Sequence, residues 1–165
     1  MAIAVHIDES EGDIGTNGDS EAVIEQNNGH GIYISNIQDG ELRINTHLDL
    51  SNPNYDSANQ IYNEGNGIII ENSHGLEITR AEISWYGLNG IVIKGDSYSN
   101  TIQGTGNIET GISSVYIHDN GMNDDYEDYT KANGILVDES GSFDPHDNII
   151  TNNTIVRQVN CGVYL

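Results

Sequence analysis

The chain has 165 residues, enough for one domain with a buried core. Its 5 Lys and Arg stand against 26 Asp and Glu, a net charge of −21, so nucleic acid and anionic membranes are repelled and neither is expected as a partner. The single Cys161 excludes an internal disulfide framework, and no run approaches the ~18 apolar residues of a membrane span.

The opening MAIAVHIDES turns acidic after a few apolar residues and has no basic start, so it does not read as a signal peptide. Residues 1–29 do not show the repeat that organises the rest. They are expected to form an N-terminal cap or an irregular first coil. An extracellular or cell-surface location is expected, with no signal peptide in the sequence.

From residue 30 onward a repeat dominates. GIYI begins at Gly31, GIII at Gly67, GIVI at Gly90, GILV at Gly134 and GVYL at Gly162, at spacings of 36, 23, 44 and 28 residues. Splitting the spacing of 44 at Gly111-Ile112 gives a unit of about 22 residues, the period of a stacked solenoid. Short β-branched runs between Asn and Gly, with no helical stripe, indicate strands. Second strands are expected at LRI (42–44), LEI (76–78) and VYI (115–117), and third steps at Ala81–Ile83 and Thr154–Val156. Asparagine is abundant at the expected corners Asn36, Asn72, Asn120 and Asn152, where it tolerates left-handed backbone and can hydrogen-bond from coil to coil. The fold class is therefore all-β, a parallel β-solenoid of about six coils with loop insertions.

In each Gly-h-x-h strand the two h residues face the core and x faces out. The first outward column reads Tyr33, Ile69, Val92, Ser113, Leu136 and Tyr164. It is apolar, as for a surface covered by a loop or partner, or an aromatic platform for sugar rings. The second column, Arg43, Glu77 and Tyr116, is more polar. Leu165 falls inside a repeat strand, so residues 30–165 are expected to be a repeat array continued beyond it, or one that self-associates end to end or laterally.

Three insertions offer sites: residues 46–60, 119–131 and 138–147. The second is acidic, and Asp119, Asp124 and Asp125 supply the hard oxygen ligands that suit Ca²⁺, although the spacing is not that of an EF-hand. Of the histidines outside the third insertion, only His118 has an adjacent carboxylate, Asp119. The third insertion contains FDPHD, where proline holds Asp144 and His146 rigidly and the flanking carboxylates favour the imidazolium.

The repeat, clearest in NGIIIENSHGLEITRAEISWYGLNGIVI (66–93), resembles the right-handed parallel β-helix of the pectate-lyase-like superfamily. That resemblance spans about residues 30–165. FDPHD followed by its Ile-Ile run and asparagines resembles the active-site signature of mannuronan C5-epimerases, which share that fold. The resemblance implies a module that modifies an acidic, alginate-like polysaccharide, commonly with Ca²⁺, with a lyase as near neighbour. It implies His146 as a proton-transfer residue and Asp144 as its partner, with Asp147, Arg157 and Tyr164 as substrate contacts. The family's tyrosine three residues before the first Asp is here Gly141. The competing reading is a non-catalytic β-helix surface, of adhesin or tailspike type, for binding or assembly.

Overall fold

A computed structural model describes residues 3–8, 12–14, 21–23, 29–38, 42–44, 47–51, 65–79, 81–104, 115–121 and 132–165. The described strands fall into three sheets. The first holds β1 (Ile3–Asp8), β4 (His30–Ser35), β7 (Ile68–Glu71), β10 (Ile91–Lys94), β13 (Ile135–Asp138) and β16 (Val163–Tyr164). The second holds β2 (Gly12–Ile14), β5 (Leu42–Ile44), β8 (Glu77–Ile78), β11 (Thr101–Gln103) and β14 (Ile149–Thr151). The third holds β3 (Glu21–Val23), β6 (His47–Ser51), β9 (Ala81–Ser84), β12 (Val115–His118) and β15 (Thr154–Val156).

The chain visits the sheets in strict rotation, so each strand pairs, always in parallel, with the strand three further along. The segment 1–29, set apart in sequence, contributes one strand to each sheet and pairs in the same rotation.

Registry places like on like. Ile32, Ile68, Ile91, Ile135 and Val163 form one column, and Ile34, Ile70, Ile93 and Val137 another. With Ile78 and Ile102 of the second sheet and Ile83 and Ile117 of the third, they make a single buried core, except Val163 at the last level, which is 41 % exposed. Each fully buried isoleucine contributes roughly 1.5–3 kcal/mol relative to exposure. Gly67, Gly90 and Gly134, which open three of these strands, sit against the side chains of Ile83, Ile117 and Ile155. A Cβ on Gly90 would lie 2.5 Å from the Ile117 side chain and 2.7 Å from the Gly134 carbonyl oxygen, so no larger residue fits there.

Two sequence assignments change. Ile91 pairs directly with Ile135, so no first-sheet strand stands between them and the spacing of 44 is one repeat, not two. Gly111 and Ser113 lie outside the described residues, and Ser113 has no place between Val92 and Leu136 in the column. VYI pairs with Ala81–Ile83 and with Thr154–Ile155, so it is a third-sheet strand; Thr101–Gln103 is the second-sheet strand of that repeat. Both differences share a cause: Gly111-Ile112 mimics the opening of a repeat strand inside a spacing that is a single repeat.

The expected asparagine stacking exists, but mainly on other asparagines. Asn89 donates from its backbone N and Nδ2 to Asn66 Oδ1 at 3.0 and 2.9 Å. Asn133 does the same to Asn89 Oδ1 at 2.8 and 3.0 Å, and Asn160 Nδ2 donates to Asn133 Oδ1 at 3.0 Å. At the other end, His30 Nδ1 accepts the Asn66 backbone N–H at 3.0 Å. His30, Asn66, Asn89 and Asn133 are the residues just before the repeat glycines, and Asn160 stands two before Gly162. Of the corners named from sequence, Asn36, Asn72 and Asn152 do take left-handed backbone (φ 57°, 49° and 55°). At the fourth, Asp119 holds that conformation beside Asn120.

Candidate functional site

FDPHD is less of an insertion than its sequence suggests. The turn from first to second sheet runs Ser73-His74-Gly75-Leu76 at one level and Ser97-Tyr98-Ser99-Asn100 at the next. Pro145-His146-Asp147-Asn148 repeats it at the third. Backbone bridges align His74 with Tyr98 and Tyr98 with His146, and Gly75, Ser99 and Asp147 share a left-handed φ of 71°, 54° and 53°. Six residues, 139–144, stand between β13 and this turn where the preceding level has two, Gly95 and Asp96.

Most side chains of this turn have a stacking role. Ser73 Oγ accepts from Ile37 N and Ser97 Oγ from Ser73 N; Pro145 ends that ladder. Asn148 Oδ1 accepts from Asn100 N and Nδ2. The rings of His74, Tyr98 and His146 stack with centroids 4.4 and 5.1 Å apart. His146 and Asp144 are exposed, and the His146 ring pairs its Nδ1 with the backbone oxygen of Asp144 at 3.1 Å. Asp147 is exposed at its corner.

Arg157 lies elsewhere, at the corner leaving the third sheet. It clamps Asp119, with Nε donating to Oδ1 at 2.7 Å and Nη2 to Oδ2 at 2.6 Å. Asp119 Oδ2 also meets His118 Nδ1 at 2.7 Å, and His118 Nε2 meets Glu82 Oε1 at 3.1 Å. Tyr116 stacks on His118 at 4.1 Å. Burial works against the imidazolium of His118, but the bonds from Glu82 and Asp119 outweigh it and raise its pKa above the usual 6.5. Arg157 foremost, then His118, hold Asp119 below the usual carboxylate range against the effect of burial. Of this chain of Glu, His, Asp and Arg across β9, β12 and β15, sequence reading singled out Asp119, Arg157 and the His118–Asp119 pair. Glu82 was missed; its only signal is the register that puts it next to Tyr116.

Both Asp119 oxygens are thus engaged by protein cations. Asp124 and Asp125 lie outside the described residues, as does most of the acidic insertion. Among the described residues no three His, Cys, Asp or Glu side chains are grouped to hold a metal ion. No described helix is long and apolar enough to cross a membrane.

Tyr164 belongs to a third place, the outer face of the first sheet. The outward column holds register as Tyr33, Ile69, Val92, Leu136 and Tyr164. Ile69 and Val92 are only 5 % and 6 % exposed, yet neither belongs to the core on the other face. They floor a cavity of about 600 Å³ together with Leu136 and Leu88. One wall is the amide ladder of Asn66, Asn89 and Asn133, with His30 at its end. The other carries Lys94 and Asp138. Lys94 pairs with Glu71 at 3.1 Å and lies 5.6 Å over the Tyr33 ring. Burial foremost, then the Lys94 charge, push the His30 pKa below 6.5, and its Nδ1 accepts the Asn66 backbone N–H.

The residues singled out from sequence are therefore distributed over three parts of the surface. His146, Asp144 and Asp147 stand on one turn, Arg157 and Asp119 on another, and Tyr164 in the cavity. No known protein family, curated protein or solved structure matches this chain.

Proposed function

We propose that the chain is a right-handed parallel β-helix of about six coils that binds a polysaccharide along the outer face of its first sheet. The observation that carries this reading is the apolar outward column, in which Ile69 and Val92 are buried away from the core. An apolar floor of Ile69, Val92 and Leu136, an amide wall and a tyrosine at the Tyr164 end suit the C–H faces and hydroxyls of a sugar chain. A saccharide unit advances by about one strand spacing, ~4.8 Å, so successive levels of the stack can meet successive sugars. With a net charge of −21 and Lys94 as the one Lys or Arg among the described lining residues, a neutral chain fits better than an acidic one. A surface or adhesin-type role follows from binding without chemistry.

Affinity electrophoresis against a panel of neutral and acidic polysaccharides tests this. Val92→Glu and Tyr164→Ala should each weaken retardation by about tenfold or more, the loss of a buried contact of roughly 1.4 kcal/mol. Retardation unchanged in both variants, or no polysaccharide retarded by the native protein, sinks the proposal.

A second reading keeps His146 and Asp144 as an epimerase-like proton-transfer pair acting on a uronate. The Tyr98 ring stacked on His146 supports it, since it puts a phenol beside the imidazole that Gly141 does not supply. Polymannuronate incubated with the protein and Ca²⁺, followed by its anomeric proton signals, should then gain guluronate signals that His146→Ala abolishes. No change in the polymer with the native protein removes this reading and leaves the binding one untouched.

A further inference from the structure

Asparagine followed by glycine is the dipeptide most prone to deamidation, because glycine leaves its own backbone nitrogen unhindered. That nitrogen attacks the Asn side-chain carbonyl carbon. Ammonia leaves with the transferred proton, and a succinimide ring forms. Water then opens the ring at either carbonyl, giving aspartate or isoaspartate. The described chain has four such sites, Asn66-Gly67, Asn89-Gly90, Asn120-Gly121 and Asn133-Gly134.

The fold occupies both reacting groups at all four. The attacking nitrogens are already donors: Gly67 N to Asn89 O at 3.0 Å, Gly90 N to Asn133 O at 3.0 Å, Gly121 N to Tyr86 O at 2.6 Å and Gly134 N to Cys161 O at 2.9 Å. The side-chain carbonyls are acceptors: Asn66, Asn89 and Asn133 within the amide ladder, and Asn120 from Tyr86 N at 3.0 Å. Asn66, Asn89, Asn120 and Asn133 are all buried, at 7 %, 5 %, 0 % and 2 % exposure. Ring closure requires the side chain to leave its partner and the backbone to turn, which the stack does not permit without local opening.

We infer that these four asparagines are latent modification sites, shielded in the folded stack, that turn unfolding into an irreversible covalent mark. The mark is irreversible because its product cannot re-enter the stack. Aspartate at position 89 sets an oxygen against Asn66 Oδ1 where Nδ2 donated, and puts a charge where Asn89 is 5 % exposed. Isoaspartate lengthens the backbone by one carbon, which breaks the register on which every core column depends.

Peptide mapping by mass spectrometry tests this on the native chain. One sample is held folded and one in urea, in the same mildly alkaline buffer. Deamidation at positions 66, 89, 120 and 133 should be slower in the folded sample by at least about tenfold, as for a reaction that needs opening. The urea sample is then diluted to refold and separated by gel filtration. Isoaspartate at these positions should be depleted in the compact fraction relative to the whole. Equal rates in the two samples overturn the shielding. A compact fraction as rich in isoaspartate as the unfractionated chain overturns the irreversibility.

Discussion

Replacing Asn89 by alanine removes the middle rung of the amide ladder, and the cost can be worked out bond by bond. Asn89 Oδ1 accepts two donors of Asn133, its backbone N–H at 2.8 Å and its Nδ2 at 3.0 Å. Asn89 Nδ2 gives one bond to Asn66 Oδ1, which keeps a second donor in the Asn89 backbone. Alanine therefore leaves one backbone N–H and one amide without their acceptor in a place where Asn133 is 2 % exposed. An unmet buried polar group costs about 1–3 kcal/mol, and the side-chain amide can turn to limit its share, so the sum is about 2–4 kcal/mol. For a chain of this size that lowers the melting temperature by roughly 5–15 °C. Thermal unfolding by circular dichroism measures it, with Asn152→Gly as the control. Asn152 is exposed at a left-handed corner that glycine adopts freely, and its replacement should change stability by less than about 0.5 kcal/mol. A loss for Asn89→Ala no larger than the control's would show that the ladder bonds are exchanged with water at no cost, and the reasoning fails.

Ile93→Ala in the centre of the core should cost about 2–5 kcal/mol in urea unfolding, since the stacked columns above and below hold the cavity open. The His30 pKa is below its unfolded 6.5, so its contribution is present above pH 6.5 and is lost as pH falls through the folded value; His30→Asn should flatten stability against pH in that window. The His118 pKa is raised, so its contribution is present below pH 6.5 and is lost as pH rises through the folded value; an NMR titration of Glu82→Gln should show the His118 pKa moving back down. Pro145→Ser restores the hydroxyl that Ser73 and Ser97 carry at their levels, so the turn should survive with a change within about 1 kcal/mol, the size of a proline's effect on the unfolded chain; unfolding of this variant would show that the proline itself holds the turn.

Much of the architecture was legible because the core repeats. An isoleucine two residues apart from another, after a glycine, can bury only one way in a strand, and five such strands predicted the in-register columns of the first sheet. The outward column was legible for the same reason: Tyr33 beside Ile69, Ile69 beside Val92 and Leu136 beside Tyr164 proved neighbours in space, while Ser113 has no place between Val92 and Leu136. Strands of the second and third sheets were harder, because runs as short as Glu77–Ile78 carry no period of their own. The candidate sites were the least legible. FDPHD drew attention as an unusual string, yet its backbone repeats the turns of SHGL and SYSN, which share almost no residues with it. A turn is defined by its φ values and bridges, and serine, proline, glycine and aspartate can all satisfy them. Glu82 and His118 lie 36 residues apart and meet only through the register of β9 and β12.

The rotation of strands through three sheets also sets how the chain can fold. Every paired residue lies one repeat away, and for the first sheet from Gly31 onward those separations run from 23 to 44 residues however far along the chain the pair falls. No strand waits for a distant terminus, so the entropy of closing a loop is met once per level and grows only as the logarithm of that level's length. Levels can therefore be added in sequence, each templated on the edge left by the one before, and a chain emerging from the ribosome can begin stacking before its later repeats exist.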